Sequence, residues 1–214
     1  MANRRMLVCG VDEAGRGSVL GPLVVAGVLI DSSKIRKLSL LGVKDSKQLS
    51  SSKRKQLYKK ILSLVDEYYV VKISPKTVDY SVQKHQLNNL EAKYMGKVIS
   101  KLEPDLSYVD SCDVNPRRFR KEISRYVKNG AIRCTHHADS RFPIVSAASI
   151  VAKVSRDRVI ERLRKKHELG SGYPSDYKTM KFVSNWIFTK KEAPTFVRTS
   201  WKPVRNLMAE SALS

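Results

Sequence analysis

Apolar residues follow two rhythms along the chain. Met6 to Val11 and Leu23 to Ile30 are unbroken runs rich in Val, Leu and Ile, the pattern of strands buried on both faces, and Gly15, Gly17 and Gly21 between them predict a bend and a hairpin. From about Ser51 the period lengthens: Leu57, Ile61, Leu64 and Val65 share one helical face. Tyr68 to Ile73 reads as the next strand. Leu87, Leu90, Tyr94, Val98 and Leu102 recur at helical spacing until Pro104, and Ser107 to Asp110 follows as a short strand. Asn115-Pro116 pairs an N-cap residue with a first-turn proline, opening a helix whose apolar face is Phe119, Ile123, Tyr126 and Val127, with Gly130 as its stop. Ile132 to Thr135 predicts another strand, and a long helix runs from about Val145 through Ala147, Ala148, Ile150, Val151 and Val154 to Leu163. Beyond the turn Gly170-Ser171-Gly172-Tyr173-Pro174 come a helical stretch through Trp186, a loop at Pro194 and a last helix near Val204 to Met208. A hairpin followed by alternating helices and strands predicts an α/β fold: a mixed sheet covered by helices, with further helices at the C-terminal end.

The 214 residues, 42% of them hydrophobic, suffice for one domain, with a core up to about residue 170 and a helical appendage over 171–214. The longest apolar run is interrupted at Gly27 and is too short to cross a bilayer as a helix, so no membrane partner is expected. Forty-one Lys and Arg against twenty Asp and Glu give a net charge of +21, spread from Arg4 to Arg205. Such a field attracts polyanions, nucleic acid first among them, although a solubility feature reads the same way. Cys9, Cys112 and Cys134 form neither a CxxC pair nor a disulfide framework, which fits a reducing, cytoplasmic setting. The apolar run after Arg4 and Arg5 is too short for a secretory signal and is closed by Asp12.

Carboxylates carry the candidate chemistry. Asp12 and Glu13 end the first strand, at the edge where α/β sheets open into ligand crevices, although an acidic pair in an exposed turn looks the same. Asp110 ends the Tyr108-Val109 strand, and Asp139 lies between the Ile132 strand and the long helix. If these ends converge, like charges ~4 Å apart repel by about 4 kcal/mol at an effective dielectric near 20. Protons or divalent cations relieve that repulsion, and hard oxygen donors favour Mg²⁺ or Mn²⁺ over Zn²⁺. An acidic patch on a basic body is the layout of two-metal phosphoryl transfer. Other sites are excluded: the glycines do not spell GxGxxG, and no GxxxxGK[ST] occurs. His136 and His137 are neighbours, so in a strand at most one of them reaches the acids. Tyr173 could stack on a sugar or base, Lys44 and Lys47 could hold phosphates, and the basic face from Arg117 to Lys128 reads equally well as a solvated surface.

Read together, Gly10-Val11-Asp12-Glu13-Ala14-Gly15-Arg16-Gly17 with Gly21-Pro22 resembles the opening signature of the ribonuclease HII family. Lys44-Asp45-Ser46-Lys47 with Leu49, Tyr108-Val109-Asp110, Ala138-Asp139, the run Val145 to Val154, Arg156-Asp157 and Gly170 to Asp176 resemble it in order and spacing. The likeness extends from Val8 to about Arg205, and its Asp139 segment is closest to archaeal members, with Phe142 where tyrosine is expected. It implies a ribonuclease H-like fold with a five-stranded mixed sheet and a helical C-terminal region. By resemblance, Asp12, Glu13, Asp110 and Asp139 are the catalytic carboxylates, binding Mg²⁺ or Mn²⁺ as two ions during catalysis; Gly15, Arg16 and Gly17 read the ribose 2′-hydroxyl; Lys47 contacts phosphate; Tyr173 senses the sugar beside the ribonucleotide. The implied partners are RNA/DNA hybrids and DNA containing ribonucleotides, cut to leave 3′-hydroxyl and 5′-phosphate ends, by a chain expected to be a monomer. The ribonuclease HIII branch, with Glu at the fourth acid and an N-terminal binding domain, fits less well, since Asp139 is present and only eleven residues precede Asp12. Residues Asn206 to Ser214 hold neither a Gln nor paired aromatics, so no clamp-binding peptide is expected. Two other readings stay open: a basic nucleic-acid-binding module without catalysis, and a DNA-junction nuclease of the same fold.

Overall fold

The run Leu23–Asp31 forms a strand buried along almost its whole length, as its unbroken apolar character requires. The computed structural model describes residues 5–43 and 49–213. In chain order these form β1 (Leu7–Ala14), β2 (Leu23–Asp31), α1 (Ile35–Leu40), α2 (Ser51–Leu64), β3 (Glu67–Ile73), α3 (Pro75–Gln83), α4 (Leu87–Leu102), β4 (Leu106–Asp110), α5 (Pro116–Ser124), β5 (Ala131–Thr135), α6 (Ala138–Arg141), α7 (Pro143–Arg164), α8 (Tyr177–Lys190) and α9 (Lys202–Leu213). Two compact units emerge. The first takes the chain up to Ala14 together with Val24–Val71 and Asn88–Ser155; the second takes Gly15–Leu23, Lys72–Leu87 and the chain from Arg156 onward. Among the described residues no helix is long and apolar enough to cross a membrane.

The first unit is built on a five-stranded mixed sheet in the order β3-β2-β1-β4-β5. β1 runs antiparallel to β2, from Leu7 opposite Asp31 to Ala14 opposite Val24, and parallel to β4, which in turn is parallel to β5. Strand side chains alternate, and the two faces of the sheet are covered by different helices. Val8 and Ala14 of β1 with Val24, Ala26, Val28 and Ile30 of β2 pack against Leu57 and Ile61 of α2 and Ile144, Val145, Ala148 and Val151 of α7. At Gly10 a side chain would strike the Ile144–Val145 backbone, so glycine lets α7 lie directly on β1. On the opposite face Gly27 leaves room for Val98 and Leu102 of α4. The second unit has its own core of Val19, Leu20, Ile160, Leu169, Val183, Ile187, Val197 and Val204. Beside it the His167 ring lies 5.3 to 5.6 Å from those of Phe196, Trp186 and Phe182.

Several elements depart from the hydrophobic rhythm, the four-residue α6 among them. α1 and α3 are short helices where no helix is expected from periodicity, and α3 is set by its ends: the Ser74 hydroxyl accepts from the Thr77 N–H, and Pro75 occupies the first turn. α5 stops at Ser124, well before Gly130. There the chain closes on α4, where Gly96 admits the Tyr126 Cβ and the Ser100 hydroxyl donates to the Tyr126 carbonyl at 2.5 Å, so packing ends the helix.

Candidate active site

Parallel pairing brings the acids together. Val11 of β1 stands opposite Val109 of β4, so the next residues, Asp12 and Asp110, lie side by side near the C-terminal ends of two neighbouring strands. Both lie on the strand face that takes α7, in line with Gly10 on β1 and with Tyr108 on β4, whose ring meets Phe142 at 4.4 Å. Beyond β5 the chain turns back at His137, which adopts a left-handed conformation with φ 54° and caps α6. That turn aims the Ala138 N–H at Asp110 Oδ1, 2.9 Å away, and sets Asp139 in the first turn of α6. Asp12, Asp110 and Asp139 each present a carboxylate oxygen, all within 4.8 Å of one another. Glu13 alternates to the other strand face and is outside this group of three, yet near enough for its charge to act on Asp12.

The cluster is electrostatically unfavourable without a cation. Two charged carboxylate oxygens at that separation repel by at least about 3 kcal/mol at an effective dielectric near 20. Burial, then the charges of Glu13 and Asp110, push Asp12 well above the ordinary carboxylate range; the Ser149 hydroxyl and the Glu13 N–H, 2.8 Å from Asp12 Oδ1, pull it back. Asp12 and Asp139 are buried and Asp110 half-buried. Three hard oxygen donors in this arrangement fit a divalent ion such as Mg²⁺ or Mn²⁺. Nearby, burial raises the Cys134 thiol to about 11, which keeps it protonated at neutral pH.

The glycine loop belongs to the second unit, where it is held by backbone bonds. The Val19 and Leu20 N–H groups donate to the Gly172 carbonyl at 2.8 and 3.1 Å, and the Gly21 N–H donates to the Phe196 carbonyl at 2.8 Å. Gly15 and Gly17 are glycine for different reasons. Gly15 has φ +84°, and a Cβ there would lie 2.5 Å from Arg156 Nε, whereas at Gly17 a Cβ would meet nothing within 4 Å. Tyr173, 37% exposed, is backed by the Arg156 guanidinium 4.6 Å from its ring centre.

Thus Asp12, Asp110 and Asp139 converge, Glu13 sits at their edge, and Gly15, Arg16, Gly17 and Tyr173 share the second unit. Lys44 and Lys47 fall outside the described residues. His136 and His137 follow β5 in a turn rather than extending it. Two participants were not read from the sequence. Ser149 lies inside an apolar helical run with nothing to single it out, and Arg198, fully buried, carries only the faint signal of a cation set between Val197 and Trp201.

The sheet order and flanking helices define the ribonuclease H-like class of fold. The structure superposes on the crystal structure of the ribonuclease H2 from Pyrococcus horikoshii OT3 with a TM-score of 0.91, at 42% identity, covering 98% of this chain and 100% of that one. It also matches the ribonuclease HII of Archaeoglobus fulgidus, solved in a complex with PCNA, with a TM-score of 0.85 at 40% identity over 92% of this chain and 96% of that one. The family model of ribonuclease HII matches residues 9–204, and the ribonuclease HII of Cenarchaeum symbiosum (strain A) is 53% identical over 95% of this chain and 99% of its own length. The chain belongs to the ribonuclease HII family and is an endoribonuclease, a phosphodiester hydrolase with ribonuclease H activity.

Proposed function

We propose that the chain hydrolyses the RNA strand of RNA/DNA hybrids and incises on the 5′ side of single ribonucleotides embedded in duplex DNA, leaving 3′-hydroxyl and 5′-phosphate ends. The observation that carries this reading is the meeting of Asp12, Asp110 and Asp139 at the strand ends of a basic chain of this family. Bound there, Mg²⁺ or Mn²⁺, as two ions during catalysis, supplies an acidified water and stabilises charge on the departing 3′ oxygen. The chain's own residues prepare that chemistry. Asp12, fixed by burial and by two hydrogen bonds, would hold the metal together with Asp110 and Asp139. The Ala138 N–H orients Asp110, and Glu13 completes the acidic set from the edge.

Selection of ribose falls to Gly15, Arg16 and Gly17. The open space at Gly17 suits the close approach of a sugar to backbone, and the 2′-hydroxyl is the group that tells RNA from DNA. Tyr173 offers a partly exposed ring to the neighbouring sugar, and Lys47, by resemblance, contacts phosphate. The chain acts as a monomer.

The test is incision of duplex DNA carrying one ribonucleotide, in Mg²⁺ or Mn²⁺, with the ends mapped. A cut on the 5′ side of the ribonucleotide and an intact all-deoxy duplex are expected. Undiminished cutting of the all-deoxy duplex overturns the reading in favour of a junction-type DNA nuclease.

A further inference from the structure

Arg156 and Arg198 are 2% and 0% exposed, the least accessible cations of the second unit. Their hydrogen bonds converge on one segment. Arg198 donates from Nε to the Gly21 carbonyl at 3.1 Å and from Nη1 to the Arg16 carbonyl at 3.0 Å, and its backbone N–H donates to the Val19 carbonyl at 2.8 Å. Arg156 Nη2 donates to the carbonyls of Leu20 at 3.3 Å and Ser171 at 3.4 Å, while its guanidinium backs the Tyr173 ring. Its stem and Nε fill the space that a side chain at Gly15 would need. Four loop carbonyls, those of Arg16, Val19, Leu20 and Gly21, are thereby tied to two side chains and one backbone N–H.

Arg198 is itself anchored. The Asp79 carboxylate on α3 accepts from the N–H and hydroxyl of Thr199 at 2.9 and 3.1 Å, and from the N–H and hydroxyl of Ser200 at 3.0 and 2.5 Å. Burial, then the neighbouring Arg156 charge, draws the Arg198 guanidinium down to about 10, so it stays charged at neutral pH. Packing alone does not call for such groups, since an apolar side chain of similar volume fills a core with no desolvation penalty. What a guanidinium adds is a rigid fork of donors that fixes the directions of the carbonyls it binds.

We infer that Arg156 and Arg198 are positioning residues that hold the Gly15–Gly21 loop and the Tyr173 ring in the geometry that tells a ribonucleotide from a deoxyribonucleotide, with Asp79 anchoring Arg198. This rests on the ribose-reading role proposed for that loop.

Binding, rather than cleavage, separates positioning from simple support of the fold. In an Asp110→Asn background the affinities for a duplex with one ribonucleotide and for its all-deoxy counterpart are measured, together with thermal stability. The background protein prefers the ribonucleotide duplex. Arg198→Met and Arg156→Met each lower that preference by about tenfold, the equilibrium weight of one hydrogen bond to a charged group, while all-deoxy affinity is unchanged. Arg198→Lys restores part of the preference, because an ammonium can still reach one carbonyl. Folded variants that keep the full preference, or that lose affinity for both duplexes equally, overturn the inference. If Arg198→Met does not fold, Asp79→Asn reads the same ratio with the arginine in place: a fall supports positioning and an unchanged ratio overturns it. An Asp110→Asn protein with no preference at all overturns the ribose-reading loop and, with it, this inference.

Discussion

Asp12, Asp110 and Asp139 in the first unit, and Arg156 and Arg198 in the second, are both groups of like charge withdrawn from solvent, and the protein treats them in opposite ways. The guanidiniums are met in part from within, by loop carbonyls fixed in the backbone, even though burial and the Arg156 charge draw Arg198 down. The carboxylates are instead crowded within 4.8 Å, with Asp12 forced upward in pKa by burial and by its acidic neighbours. Internally answered charge builds a shape, while a crowded set of lone pairs prepares a place for a cation. The second region meets part of its charge with fixed acceptors, whereas the first completes its chemistry by binding.

Asp139→Asn removes the charge of one of the three crowded carboxylates. It is expected to lower cleavage of a single-ribonucleotide duplex at least about 10²-fold, the scale of losing one group that stabilises transition-state charge. Duplex affinity should be retained, as gel-shift titration will report. The glycine loop gives the next effect. Gly15→Ala meets φ +84° and the Arg156 side chain, and should destabilise by about 1–2 kcal/mol in denaturant unfolding. Gly17→Ala enters open space and should stay within about 0.5 kcal/mol while slowing cleavage. Equal stability losses at the two positions would erase the distinction between a packed and an open glycine.

Asp110→Asn relieves part of the repulsion among the acids. In metal-free buffer the variant should be more stable than the parent by on the order of 1 kcal/mol, because one like charge is removed while Oδ1 can still accept from Ala138. Denaturant unfolding in EDTA measures it, and a destabilised variant would speak against repulsion. The smallest effect is at Asp176, held down to about 2 by the Ser171 N–H foremost and also capping α8. Its folded pKa is below the ordinary value of 3.8, so its contribution is complete above that value and is lost as pH falls toward 2. Asp176→Asn should lower stability by a few tenths of a kcal/mol at pH 6, as suits a half-buried cap screened by solvent, and match the parent near pH 2. Melting curves across that range test the sign.

Much of this was legible from residue patterns. The buried strands announced themselves as continuous apolar runs because both sheet faces are covered, and α4 and α7 announced themselves by period. α3 escaped because its residues are mostly polar, and only Ser74-Pro75 marks its start. The end of α5 is decided by Tyr126 against Gly96, a tertiary contact that no local pattern carries. The acids were visible as strand-end carboxylates, but their convergence depends on the parallel register of β1 and β4 and on the left-handed turn at His137, neither of which has a local signature. Ser149 and Arg198 act through partners distant in sequence and were invisible for the same reason.

Calorimetric titration of metal-free protein with Mn²⁺, comparing the parent with Asp110→Asn at neutral pH, decides whether Asp12, Asp110 and Asp139 form a divalent-cation site. Saturable binding by the parent and its loss in a variant that unfolds cooperatively are expected; equal binding by both proteins would rule the site out.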